Sequence, residues 1–320
     1  MISLRYHVVS IAAVFLALAM GVVLGASGVS DRVLAAVSSQ RDDLGVQVTR
    51  LSAERDTLAA RDRAADEFAS RVGPAAVRGL LTGQTVAVVV AGADVQDRDG
   101  VVGLIGQAGG TVTGQVELTD AVGDPARADQ LRELTSQLLP TGAQLPAASD
   151  TGSLVGGLLG GVLLARDGGA AVRHDDADSV LTGLTSAGFV QPGTPPGAAK
   201  LVLVLTGGGQ DGVDAADSAA VYARLAAQLD LAAAGAVLAG RSGSADAAGA
   251  VGVARADPQV VARLSTVDDV QSGAGRVAAV LALHEQLDGR AGSYGTAGAA
   301  PDERADSRVP AAGVGREAVR

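Results

Sequence analysis

The stretch Val8–Ser30 carries no charged residue and lies between His7 and Asp31, and it restricts this chain more than any other segment. Wound as an α-helix at ~1.5 Å per residue, it is long enough to cross a hydrocarbon layer of about 30 Å. Between Val8 and Leu24 it holds eleven Val, Ile, Leu, Met and Phe side chains. At ~1.5–3 kcal/mol each, keeping them out of water is worth on the order of 20 kcal/mol, more than a surface helix of a water-soluble domain can leave exposed. Residues 1–30 are therefore expected to form a single transmembrane anchor. A secretory signal peptide is the alternative, with Arg5 as its positive start and Ala26-Ser27-Gly28 as a small-residue cleavage site, although the apolar run exceeds the usual hydrophobic region of such peptides. Arg5 alone precedes the span, whereas Arg32, Arg41 and Arg50 follow it, so charge count by itself keeps the bulk of the chain inside.

Beyond the anchor, a chain of 320 residues has room for one large or two modest domains. Its hydrophobic fraction of 48 % supports a real core, which must be aliphatic because only 2 % of residues are aromatic. A net charge of −10 argues against nucleic acid or an anionic membrane surface as a partner. Cysteine is absent, which excludes disulfides, thiol catalysis and Cys-ligated metals.

After the span, Val37, Leu44, Leu51, Leu58, Ala65 and Val72 recur every seven residues, the spacing of one coiled-coil seam position. The companion seam, Leu34, Arg41, Val48, Arg55, Asp62 and Ala69, is half charged, so a partner must supply matching charge or the coil is weak. Residues 31–73 are read as a coiled-coil stalk stopped by Gly73-Pro74; the alternative is one amphipathic helix folded onto the next domain. Within the anchor, Ala13, Ala17, Gly21 and Gly25 fall four apart, with Gly21 and Gly25 in the spacing of a membrane-helix dimerisation face. The expected interface is thus Ala17, Gly21, Gly25, Val37, Leu44, Leu51 and Leu58, in a homodimer or a hetero-oligomer.

From Thr85 the pattern changes to alternating strands and helices. Apolar runs at Thr85–Ala91 and Lys200–Leu205 read as buried strands, and Thr111–Leu118 and Ala236–Ala239 as further strands. Helices are expected at Asp94–Ala108, Pro125–Leu139, Leu154–Leu164, Ser179–Phe189, Asp217–Ala233 and Gly275–Leu287. The glycines of Leu154–Leu164 suggest close packing in the core. Residues 74–290 are read as an open, mostly parallel α/β sheet domain with helices on both faces. From Gly289 onward glycine, alanine, proline and scattered charge dominate, and residues 291–320 are expected to be a disordered tail.

Site signals are sparse. Gly207, Gly209 and Gly212 fit the dinucleotide-turn spacing and follow a strand, but the next strand ends Gly240-Arg241-Ser242 where an acidic ribose partner belongs, so an ordinary glycine turn is the competing reading. His174, Asp175, Asp176 and Asp178 could surround a cation, or form a solvated loop with Asp178 as the cap of the following helix. No catalytic triad, metalloprotease helix or phosphate loop occurs. The residues by themselves describe a non-enzymatic, membrane-tethered α/β protein without a cofactor.

Three segments carry a family resemblance: Met1-Ile2-Ser3-Leu4-Arg5-Tyr6-His7 with the following Val9–Gly25, then Ser265-Thr266-Val267-Asp268-Asp269-Val270 leading to Gly275–Leu283, and finally Gly292-Ser293-Tyr294-Gly295. Together they resemble the actinobacterial MctB-type copper transporter family. The resemblance implies a cell-envelope protein whose soluble part faces outward, against the arginine count. It also implies a role in copper efflux or tolerance, described for some members as an outer-membrane channel. Other members, the SteB-like ones, are described as cell-division proteins that bind a partner membrane protein and influence septal wall hydrolysis through the coiled coil. Copper enters on this resemblance alone: copper(I) favours thiolate and thioether ligands, and the chain offers only Met1 and Met20. One helix makes no pore, and continuously apolar strands lack the alternation of a membrane barrel.

Overall fold

In the strand Thr85–Ala91 (β1), Val86, Val88 and Val90 pack to one side and Ala87, Val89 and Ala91 to the other, and all six are buried. A strand apolar on both faces requires cover on both. The computed structural model describes residues 4–26, 29–140, 144–165 and 174–297. Among these, Thr111–Leu118 (β2), Leu201–Thr206 (β3), Gly235–Ala239 (β4), Ser265–Val267 (β5) and Ser293–Tyr294 (β6) join β1 in one sheet. The order is β2-β1-β3-β4-β5-β6 and every neighbouring pair is parallel. The expected open parallel α/β sheet is present.

Ten helices accompany the strands among the described residues: Leu4–Ala26 (α1), Val29–Ala76 (α2), Val95–Gln107 (α3), Ala128–Gln137 (α4), Thr151–Leu163 (α5), His174–Ser186 (α6), Ala215–Ala232 (α7), Ala250–Arg255 (α8), Pro258–Val261 (α9) and Gly273–Leu287 (α10). On one face of the sheet, Val101 and Ile105 of α3 and Val280 and Leu283 of α10 pack with Val77 and Leu81 against β1, β3 and β4. On the other, α4 to α8 bury Leu131, Leu159, Leu184, Leu225 and Val251. Chain order reverses at β1: the link to β2 covers the first face and the links from β2 onward to β5 cover the second. That reversal leaves a crevice at the carboxyl ends of β1 and β3.

Contacts divide the chain into two compact units, Met1–Ala64 and Ala65–Arg320. In the first, α1 contains the apolar segment Arg5–Val23, long and apolar enough to cross a membrane, with none of it buried in the chain. It begins ahead of Val8, so Arg5 and His7 are helical. In the second, Gly73-Pro74 does not stop α2, which continues to Ala76 with Pro74 inside its last turn. Proline there forfeits a single backbone N–H, and docking compensates. Gly73 lies directly against Val277 of α10, and the Asp66 carboxylate accepts the Gly273 N–H at the start of that helix.

Several boundaries differ from expectation for local reasons. Pro125–Arg127 forms a 3-10 turn capped by Asp124 before α4 begins. The helix expected from Ser179 starts at His174, so Asp178 is an interior residue and not its cap. β5 and β6 escaped sequence reading because three and two residues carry no usable periodicity. The chain expected to be tail is therefore held in place through residue 297, while residues 298–320 lie outside the described residues.

Candidate functional site

The crevice at the reversal point has a volume of about 790 Å³. β1 ends in it at Ala91, followed by Gly92, Gly207-Gly208-Gly209 follow β3, and Tyr222 of α7 adds to its lining. The glycine turn is explained by backbone crowding. A Cβ on Gly207 would sit 2.9 Å from the Gly92 carbonyl oxygen, one on Gly208 2.8 Å from that of Ser242, and one on Gly209 2.9 Å from that of Gly243. The turn thus packs against three carbonyl oxygens, so close backbone packing accounts for its glycines without a ligand. Asp120, Asp124, Asp211 and Asp214 add negative charge around the crevice. Arg127, its single basic residue, lies 4.2 Å over the Phe189 ring and donates to the Ala187 carbonyl at 2.7 Å. This chemistry disfavours the pyrophosphate that Gly207, Gly209 and Gly212 could otherwise cradle. Burial, with Asp120 nearby, pushes the Tyr222 hydroxyl up to about 12, so it stays protonated.

A larger cleft of about 1290 Å³ opens at the opposite, amino ends of β1, β3 and β4, lined by Gln84, Lys200, Gly157, Gly161 and Leu231. Its wall residues Pro140, Gln144 and Ala165 flank, in sequence, segments outside the described residues. It is remote from the strand ends where open α/β sheets bind ligands.

Two buried carboxylates, Asp97 and Asp269, lie just past the carboxyl ends of β1 and β5, and a third, Asp230, lies at the amino end of β4. Asp97, in the first turn of α3, is buried, and its Oδ2 lies 3.0 Å from Arg241 Nε without a well-directed hydrogen bond. Although the guanidinium favours the charged form, Arg241 is 43 % exposed and shares its charge with water, so burial prevails and raises the Asp97 pKa. Burial also raises Asp230, despite its hydrogen bond from Ala236 N–H and the nearby Arg263, and Asp269, despite the Ser272 hydroxyl. A carboxyl whose pKa is raised on folding takes up protons as pH falls through the folded value, so its contribution to stability grows on mild acidification and is lost as pH rises through that value. The triple variant Asp97→Asn, Asp230→Asn, Asp269→Asn is therefore expected to gain less, or lose more, melting temperature than the parent as pH falls toward the ordinary carboxylate range. Equal slopes for both proteins would contradict this.

The two carboxy-terminal segments singled out in the sequence meet in space. Arg255 donates from Nε to Thr266 Oγ1 at 2.9 Å, from Nη1 to Asp268 Oδ2 at 2.5 Å and from Nη2 to the Tyr294 carbonyl at 2.7 Å. Asp268 also accepts the backbone N–H of Thr296 at 2.7 Å and that of Ala297 at 3.2 Å. The Tyr294 hydroxyl donates to Glu285 of α10. These residues latch β6 onto the sheet edge; they are structural. Sequence reading missed Arg255, whose partners lie 11 to 39 residues away.

The remaining sequence candidates do not converge. Asp175, Asp176 and Asp178 lie in the first turns of α6, the His174 side chain falls outside the described residues, and no group of three or more metal-ligating side chains gathers among the described residues. Ala17 and Gly21 share a shallow groove on α1 with Val14, Leu18 and Val22, and a Cβ on Gly21 or Gly25 would meet nothing within 4 Å. On α2, Leu44, Leu51 and Leu58 are 54 %, 57 % and 56 % exposed; the side chain of Val37 is outside the described residues.

A family profile described as "Copper transport outer membrane protein, MctB" matches residues 1–302. The chain belongs to the MctB family. "Copper transporter MctB" of Mycobacterium tuberculosis and that of Mycobacterium bovis are each 43 % identical over 305 residues, covering 92 % of this chain and 96 % of the relative. The Mycobacterium leprae protein of the same name is 41 % identical over 307 residues with the same coverage. Membership in this family, which is not an enzyme family, accords with a non-enzymatic chain. Among the described residues α1 is the one helix long and apolar enough to cross a membrane, and the large α/β part follows it, so the chain is a single-pass cell-envelope protein with a large extracytoplasmic part. The arginine count that pointed inward is outweighed, since large domains translocate largely regardless of charge.

Proposed function

We propose that the protein serves copper homeostasis, the role its relatives are named for, by assembling envelope components through α2 rather than by ligating copper. The observation that carries this reading is the exposed heptad face of Leu44, Leu51 and Leu58. Each such side chain gains ~1.5–3 kcal/mol on full burial, so a helix that leaves three of them in water is built to be covered. Copper binding finds little support: the chain has no cysteine, and Met20 lies within the membrane segment. The pairing is a homodimer or a hetero-oligomer with another envelope membrane protein. Changing Leu44, Leu51 and Leu58 together to Asp is expected to abolish cross-linking through the stalk and to reproduce the copper sensitivity of a deletion strain. Wild-type copper tolerance in that variant would overturn the reading.

The charged companion positions Arg55 and Asp62 favour a second reading, a division-site adaptor whose partner helix matches those charges. Here the same variant would copy a septation defect and leave copper tolerance intact.

A further inference from the structure

We propose that the occupant of the α2 face is a second copy of this chain, parallel and in register, selected by charge pairs that form only between copies. The inference rests on the reading that α2 is an assembly surface and names the partner. Leu44, Leu51 and Leu58 hold one seam position; Arg41, Val48, Arg55 and Asp62 hold the other. In a parallel two-stranded coil, a residue at this second position lies beside its equivalent and beside the partner's immediately preceding residue, the one at the end of the heptad before. Glu54 precedes Arg55, and Arg61 precedes Asp62. An in-register copy therefore sets Glu54 of each helix against Arg55 of the other, and Arg61 against Asp62. The two charges that looked like defects in the seam become complementary in trans.

Local pairing does not compete strongly. Arg55 reaches only its exposed neighbour Asp56, at 2.8 Å, and Glu54 lies 3.7 Å from Arg50, both in water. No ion pair of Arg61 or Asp62 is found among the described residues. Register follows from the anchor: two copies held by the same amino-terminal span leave the bilayer at the same residue and in the same direction. An antiparallel copy cannot do so, and a one-heptad slip sets Arg55 against Gln47 or Arg61 of the other helix in place of Glu54.

The absence of cysteine makes the test direct. In membranes holding the full chain, Leu51→Cys is expected to form a disulfide-linked dimer under mild oxidation, and Ala53→Cys, on the outer face, much less. In the Leu51→Cys background, Glu54→Arg or Arg55→Glu alone should reduce the dimer severalfold, since each sets like charges together. The double exchange Glu54→Arg with Arg55→Glu should restore it. A dimer indifferent to all three changes, or a failure of the double exchange to restore it, overturns the pairing. A cross-linked product of a different mass, with no homodimer, overturns the second copy while leaving assembly through α2 standing.

Discussion

Arg255→Ala is expected to destabilise the α/β unit by about 3–5 kcal/mol, because it leaves the Asp268 carboxylate buried without its cation. Asp268 is 1 % exposed and Arg255 12 %, so water cannot replace the lost guanidinium. Arg255 also satisfies Thr266 and the carbonyl of Tyr294, and its removal opens the latch that holds β6. Chemical denaturation of the detergent-solubilised full chain should show an earlier midpoint, accompanied by faster hydrogen exchange at residues 293–297. Arg255→Lys should recover only part of the loss, because an ammonium cannot offer the guanidinium's fork to three acceptors. An unchanged midpoint and unchanged exchange would show that β6 is held by its backbone pairing alone.

The second large effect is expected between α5 and α7. Gly152, Gly156 and Gly160 lie four apart along α5, the stripe that faces α7. A Cβ on Gly152 would drive into the Val221 carbonyl oxygen, and one on Gly156 would lie 2.8 Å from that of Leu225. Both obstacles are main-chain atoms of a helix and cannot swing aside. Gly152→Val is therefore expected to cost about 3 kcal/mol, at the upper end for an overpacked core. At Gly160 the nearest atom is the Ala232 Cβ at 3.2 Å, which a small shift relieves. Gly160→Ala should be nearly neutral, since the helix propensity of alanine, worth ~0.5–1 kcal/mol over glycine, offsets the crowding. Comparable thermal shifts for the two variants would argue against this backbone-to-backbone contact.

Legibility in the sequence followed the length of the pattern. β1 and β2 were read to the residue: β1 is apolar or β-branched over all seven positions, and β2, with Gly114, Gln115 and Glu117 among its eight, is marked by its Thr and Val and by the Gly109-Gly110 turn before it. The glycine-rich helix α5 was recognised as a closely packed core element, and its partner helix was not. Asp178 was misplaced as a cap because local cap chemistry cannot tell whether a helix has already begun upstream. Pro74 was overweighted, since contacts of α2 with Val277 and Gly273 that hold its last turn come from about 200 residues away. Of the candidate site, the crevice glycines were visible as a motif, but the carbonyl oxygens that explain them belong to the loops after β1 and β4.

Residues in order thus sufficed to establish a membrane-crossing helix, a seven-residue apolar repeat and a buried parallel sheet, because each arises from periodic apolar character within one stretch of chain. The threefold grip of Arg255, the raised carboxyls of Asp97, Asp230 and Asp269, and the crowding around Gly207–Gly209 came only with the folded chain. Those depend on which distant atoms share a low-dielectric space, and no local spacing encodes that.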